Sequence, residues 1–131
     1  MAAAHTTLAS RYRERGDVKN AEKHYRKALE MLGAAETPSA PTVAVNLEGM
    51  GWAARQNENI EEAELHYRRA FGMGESVLGR DHPLMIPILE GYSGVLSDMG
   101  RADQAQALGA RAARLRASLE ERATPPVSGS P

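Results

Sequence analysis

The chain has 131 residues, 42% of them hydrophobic, which is enough for one domain with a core of ordinary size. Sixteen basic residues against seventeen acidic ones leave a formal net charge of −1, so there is no general attraction to nucleic acid or to anionic membrane. Cysteine is absent, which removes disulfide frameworks, thiolate metal sites and cysteine nucleophiles together.

Residues 1–10 (MAAAHTTLAS) lack the basic start and apolar run of a secretory signal, and no stretch approaches the roughly 18 apolar residues of a membrane span. A soluble, cytoplasmic protein is expected. Ala, Leu, Glu and Arg dominate and no segment alternates as a strand would, so the expected fold class is all-α.

In chain order, a first helix is expected over about residues 3–15, closed by Gly16 in the left-handed conformation, with Asp17 capping the next helix over about 18–34. Pro38 and Pro41 separate this pair from a helix over about 42–57. The following turn, Gln56-Asn57-Glu58-Asn59, has no glycine and is expected to use an asparagine in the left-handed position. A fourth helix spans about 60–78, loosened by Gly72 and Gly74, and Pro83 opens a fifth over about 83–99. Gly100-Arg101 leads into a sixth over about 102–122, with Ala105, Leu108, Ala112, Leu115 and Leu119 on its buried face and Arg111, Arg114, Glu121 and Arg122 outside. Residues 123–131, with three prolines and little to bury, are expected to be a disordered tail.

The elements repeat. Ala21-Glu22-Lys23-His24-Tyr25-Arg26-Lys27-Ala28 recurs as Ala63-Glu64-Leu65-His66-Tyr67-Arg68-Arg69-Ala70, and in degraded form over residues 105–112, at an offset of about 42. Counting back aligns Leu8, Met50 and Tyr92, then Ala9, Gly51 and Ser93, then Tyr12, Ala54 and Leu96. Small residues beside large ones at these spacings let two antiparallel helices approach to about 8–10 Å. The expected domain is 1–122, in units of about 2–35, 43–78 and 84–122.

Leu8-Ala9, Tyr12, Gly16, Ala21, Tyr25 and Ala28, with Leu47, Met50-Gly51, Ala63, Tyr67 and Ala70, resemble the tetratricopeptide repeat pattern. The string Val77-Leu78-Gly79-Arg80-Asp81-His82-Pro83 is similar to the linker of the kinesin light chain subclass. The resemblance implies a right-handed α-solenoid of three helix-turn-helix repeats, whose first helices line a concave groove that binds a peptide or protein segment.

On that placement Glu48 and Glu90 are equivalent groove positions whose carboxylates would favour a basic partner segment. Trp52, four residues after Glu48, is either an aromatic anchor for a partner or a wedge between neighbouring helices. Arg13 and Arg55, also equivalent, would complement helix dipoles or take a partner carboxylate. His24 and His66 read as surface histidines, and Asp81 beside His82 reads as a helix cap. Phosphate loops, nucleophile elbows and helical metal signatures are missing from the sequence, so no enzyme activity, cofactor or metal is expected. The alternative function is a self-assembling or sensor module, a homo-oligomer or part of a larger signalling protein, working through an uncapped C-terminal helix.

Overall fold

The computed structural model describes residues 2–36 and 38–123. Among them are six α-helices and no strand: α1 Ala2–Glu14, α2 Val18–Gly33, α3 Ala40–Gln56, α4 Ile60–Met73, α5 Met85–Asp98 and α6 Ala102–Ala123. They form three helix pairs, α1–α2, α3–α4 and α5–α6, and α2 packs on α3 as α4 packs on α5. Of the expected tail over 123–131, Ala123 is still helical and residues 124–131 lie outside the described residues.

The turns follow local chemistry, with two corrections. Gly16 and Gly100 hold positive φ values of 76° and 79°, and Asp17 Oδ1 accepts the Asn20 N–H at 3.2 Å to cap α2. In the middle turn the left-handed residue is Glu58, at φ 62°, not an asparagine. A single non-glycine residue tolerates that region when the flanking caps fix it, and here Asn59 N–H donates to Ala54 O at 2.8 Å. Before α5, His82 replaces Asp81 in the expected capping role: its Nδ1 accepts the Leu84 N–H at 3.1 Å.

Gly74 opens a π-turn, Gly74–Leu78, that continues α4. A Cβ there would lie 2.1 Å from Met85 Sδ, so the glycine leaves the space that the buried Met85 side chain of α5 occupies.

Tyrosine-on-glycine contacts join the pairs. The Tyr25 ring lies where a Cβ on Gly49 would come within 2.4 Å, and the Tyr67 ring occupies the equivalent place over Gly91, at 2.3 Å. Tyr67 also covers Gly51 of its own pair, where Tyr25 covers Ala9. Both rings are buried, and each fixes the distance between one pair and the next. Beyond them, Ala44, Leu47, Ala70, Met85, Ile88, Leu89, Ala112 and Leu115 make the main core, so most of the expected inner face of α6 is covered. Position 109, equivalent to Tyr25 and Tyr67, is a glycine beside Ser93, and the series of rings stops there.

Candidate functional site

Between α1 and α3 runs an open cleft of about 480 Å³. Thr7, Ser10 and Glu14 form one wall and Val45 and Glu48 the other, with the Tyr25 ring from α2 between them. A smaller hollow of about 260 Å³ shares Thr6, Thr7 and Val45 with it and extends toward Pro41 and Thr42. The helices are held in register by Asn46, fully buried, whose Nδ2 donates to Thr6 Oγ1 and to Thr42 O, each at 2.8 Å. Both amide protons are satisfied, so burial of this polar group costs little and specifies one alignment of α1 on α3.

One end of the cleft is closed by a charge cluster. Arg13 donates to both oxygens of Glu48, Nη1 to Oε1 at 2.7 Å and Nη2 to Oε2 at 2.9 Å, while its Cζ lies 4.8 Å from the centroid of the Trp52 ring. The planar guanidinium matches the carboxylate bidentately and the indole face at the same time. Burial opposes the Arg13 charge, but the hydrogen bonds and charge of Glu48 outweigh it, and the pKa of Arg13 rises further above the pH range of proteins. Burial also raises the Tyr25 hydroxyl above its ordinary value, partly offset by Arg13. Trp52 is half-buried and packs against the core cluster of Ala9, Ala21, Tyr25 and Met50.

Arg55 and Glu90 do not reproduce this cluster, although sequence equivalence predicts it. Gly94 stands in α5 where Trp52 stands in α3, and a Cβ there would come within 2.4 Å of Arg55 Nη1. With no ring to support it, the Arg55 side chain lies on α5 and reaches Asp98, Nε to Oδ2 at 2.8 Å. Glu90 is exposed and accepts Arg116 from α6 at 2.8 and 3.0 Å. Glu48 and Glu90 are thus each paired with an arginine, Arg13 and Arg116 respectively. Of the five residues singled out, Arg13 and Glu48 line the cleft, whereas Trp52, Arg55 and Glu90 do not.

Thr7, Ser10 and Val45 carried no sequence signal of their own, because small and polar side chains on a helix face read equally as solvated surface. The histidines also depart from expectation. His24 is half-buried in a ring stack with His5 and Tyr12, at centroid distances of 5.2 and 5.6 Å, and its Nδ1 lies 3.0 Å from His5 Nδ1. Burial, then the neighbouring charges of His5, Lys27 and Lys23, lower the His24 pKa. His66 Nε2 lies 3.5 Å from Glu62 on the same helix, with its ring largely covered. Among the described residues no three His, Asp or Glu side chains are placed to hold a metal ion, and no helix is long and apolar enough to cross a membrane.

The chain matches the tetratricopeptide repeat family over residues 1–76, the span of the first two helix pairs. No curated protein matches it.

Proposed function

The chain belongs to the tetratricopeptide repeat family, whose members are protein-interaction modules, and we propose that it binds a peptide or protein segment in the cleft between α1 and α3. The observation that carries this reading is the cleft itself. Its walls offer hydroxyls at Thr7 and Ser10, an aliphatic surface at Val45 and a rigid charged end at Arg13 and Glu48. Such a mixture suits an extended segment with alternating apolar and polar side chains. The lining charges balance, Arg11 and Arg13 against Glu14 and Glu48, so selection in the cleft rests on shape and hydrogen bonding. Trp52 acts beneath Arg13 as a positioning residue, and Arg55 and Glu90 belong to a continuation of the groove along α5. The linker string from Val77 to Pro83 supports a place in the kinesin light chain-like subclass, and the cytoplasm is the proposed location.

The test is selection of binders from a displayed random peptide library, followed by calorimetry on wild type and on Val45→Trp, which fills the cleft. The reading expects affinity to fall about tenfold or more, the loss given by blocking an apolar contact site. Undiminished binding to a folded Val45→Trp protein would refute it.

A second reading, self-association, is favoured by the far face of the last pair. There Ser93, Gly94, Ser97, Ala105 and Gly109 border a shallow trough with no ring in the position of Tyr25 and Tyr67. A solution mass that rises with concentration, and returns to the monomer value on Gly109→Arg, would establish it.

A further inference from the structure

A second hollow lies away from α1 and α3, between the C-terminal half of α6 and the linker that precedes α5. It measures about 470 Å³ and is lined by Arg80, Asp81, Arg111, Arg114, Ser118 and Arg122, with Leu115 also in its wall. Arg111, Arg114, Ser118 and Arg122 follow one another at three- and four-residue steps, so one stripe of α6 carries three guanidiniums and a hydroxyl toward the linker. Four arginines face one aspartate.

The arginines divide into two roles. Arg111 is half-buried and structural: it pairs with Glu75, donates to Arg80 O at 3.3 Å, and lies 5.7 Å over the Phe71 ring. It ties the linker to α6 and gives the hollow its shape. The side chains of Arg80, Arg114 and Arg122 are exposed, and among the described residues no hydrogen bond or ion pair engages them. In contrast, the other arginine of this stretch, Arg116, points to the opposite side and is neutralised by Glu90. Three uncompensated guanidiniums remain around one concavity, on a chain whose net charge is −1.

We propose that this hollow is a docking site for an acidic protein segment, separate from the cleft between α1 and α3. From Arg114 to Arg122 the helix rises about 12 Å, at 1.5 Å per residue, which is the length of about four residues of extended chain. A lone phosphate or carboxylate would reach only one end of such a row, whereas alternate Glu or Asp side chains of an extended segment, which share one face, can meet Arg114 and Arg122 along the helix, with Arg80 on the linker side of the hollow. Guanidinium forks bind carboxylates bidentately, and the Ser118 hydroxyl adds a donor between them. The buried Leu115 gives the segment an apolar contact, so an acidic run carrying one aliphatic residue fits better than a purely charged one.

The probe is a fluorescein-labelled ten-residue peptide of Glu with one Leu, compared with the same peptide in which Gln replaces every Glu. Fluorescence anisotropy is read on the whole chain, on Arg114→Gln/Arg122→Gln, on Arg80→Gln, on the exposed control Arg69→Gln and on Val45→Trp. The acidic peptide should bind, and weaken as salt is raised. The double variant should lose about tenfold or more, as expected when charge-assisted hydrogen bonds are removed, Arg80→Gln a smaller factor, and Arg69→Gln and Val45→Trp nothing. The Gln peptide should not bind. Equal loss in Arg69→Gln would overturn the proposal, since it would mean diffuse attraction. Loss in Val45→Trp would assign the acidic peptide to the α1–α3 cleft and likewise overturn it. Binding of phosphatidylserine vesicles through Arg114 and Arg122, with no peptide binding, would replace a protein partner by a membrane. Circular dichroism of each variant shows whether it is folded; if the double variant is not, Arg114→Lys/Arg122→Lys keeps the charge without the fork, and retention of full affinity there would also count against the site.

Discussion

Replacing Gly91 by alanine should destabilise the protein, although alanine is the better helix former. Gly91 lies inside α5, where the exchange by itself favours the helix by about 1 kcal/mol. The new Cβ, however, would sit 2.3 Å from Tyr67 Cε1, 2.4 Å from Cζ and 2.5 Å from the hydroxyl oxygen. Tyr67 is 2% exposed and wedged between Gly51 and Gly91, so the ring has no free space to enter. Overpacking of this kind costs about 1–3 kcal/mol, and a contact this short belongs to the upper part of that range. The expected net loss is about 1–2 kcal/mol, equivalent to a fall in Tm of about 4–8 °C. Urea denaturation followed by circular dichroism measures it. Gly72→Ala, in α4 with nothing within 4 Å, is the internal control and should gain up to about 1 kcal/mol. Combining Gly91→Ala with Tyr67→Ala should reverse the sign of the Gly91 effect, because the obstructing ring is gone. If Gly91→Ala alone raises stability as Gly72→Ala does, the tyrosine-on-glycine contact does not set the spacing of the second and third pairs.

Three further outcomes follow from the same structure. Arg13→Met should cost about 1–3 kcal/mol and more than the double change Arg13→Met/Glu48→Met, because the single change strands a buried carboxylate; denaturation midpoints of the two decide. Arg55→Gln should cost under about 1 kcal/mol in the same assay, since the Arg55–Asp98 pair is more than a third exposed on both sides. For His24, whose folded pKa is lowered, the unfolded chain binds the proton more readily, so this contribution is complete above the unfolded value of 6.5 and is lost as pH falls through the folded one. Thermal melts at pH 7.5 and 5.5 should show a drop in Tm that is smaller in His24→Asn, and an equal drop would remove His24 as its source.

The regular part of the fold was legible because it is carried by local signals. Helix starts and stops depend on Gly16, Asp17, Gly100 and the prolines, and the buried face of α6 depends on spacing alone. What sequence missed depends on register between helices. Arg13 and Arg55 align in sequence, yet only Arg13 has an indole to lie on, since glycine replaces Trp52 in the third unit; Asp98 also stands where the second unit has Gln56, so Arg55 pairs with Asp98 and Glu90 with Arg116. Glu48 appeared as an exposed groove carboxylate because its partner is 35 residues away on another helix. At Glu58, the left-handed residue was displaced by one position from the expected asparagine, a choice settled by the hydrogen bonds of the turn and not by propensity. The family resemblance implied a groove lined by the first helices but named none of the residues Thr7, Ser10 and Val45, which were invisible as a pattern.

Because the chain lacks cysteine, one introduced thiol is a unique probe of the cleft. Thr7→Cys places it in the wall between α1 and α3, and Arg69→Cys places it on the exposed side of α4. Each is labelled with a short photo-crosslinker and irradiated with a peptide selected from the library by the wild-type chain. The account predicts an adduct to the peptide from Thr7→Cys and none from Arg69→Cys. Crosslinking from neither position, or from Arg69→Cys alone, while both labelled proteins still bind the peptide, would contradict it.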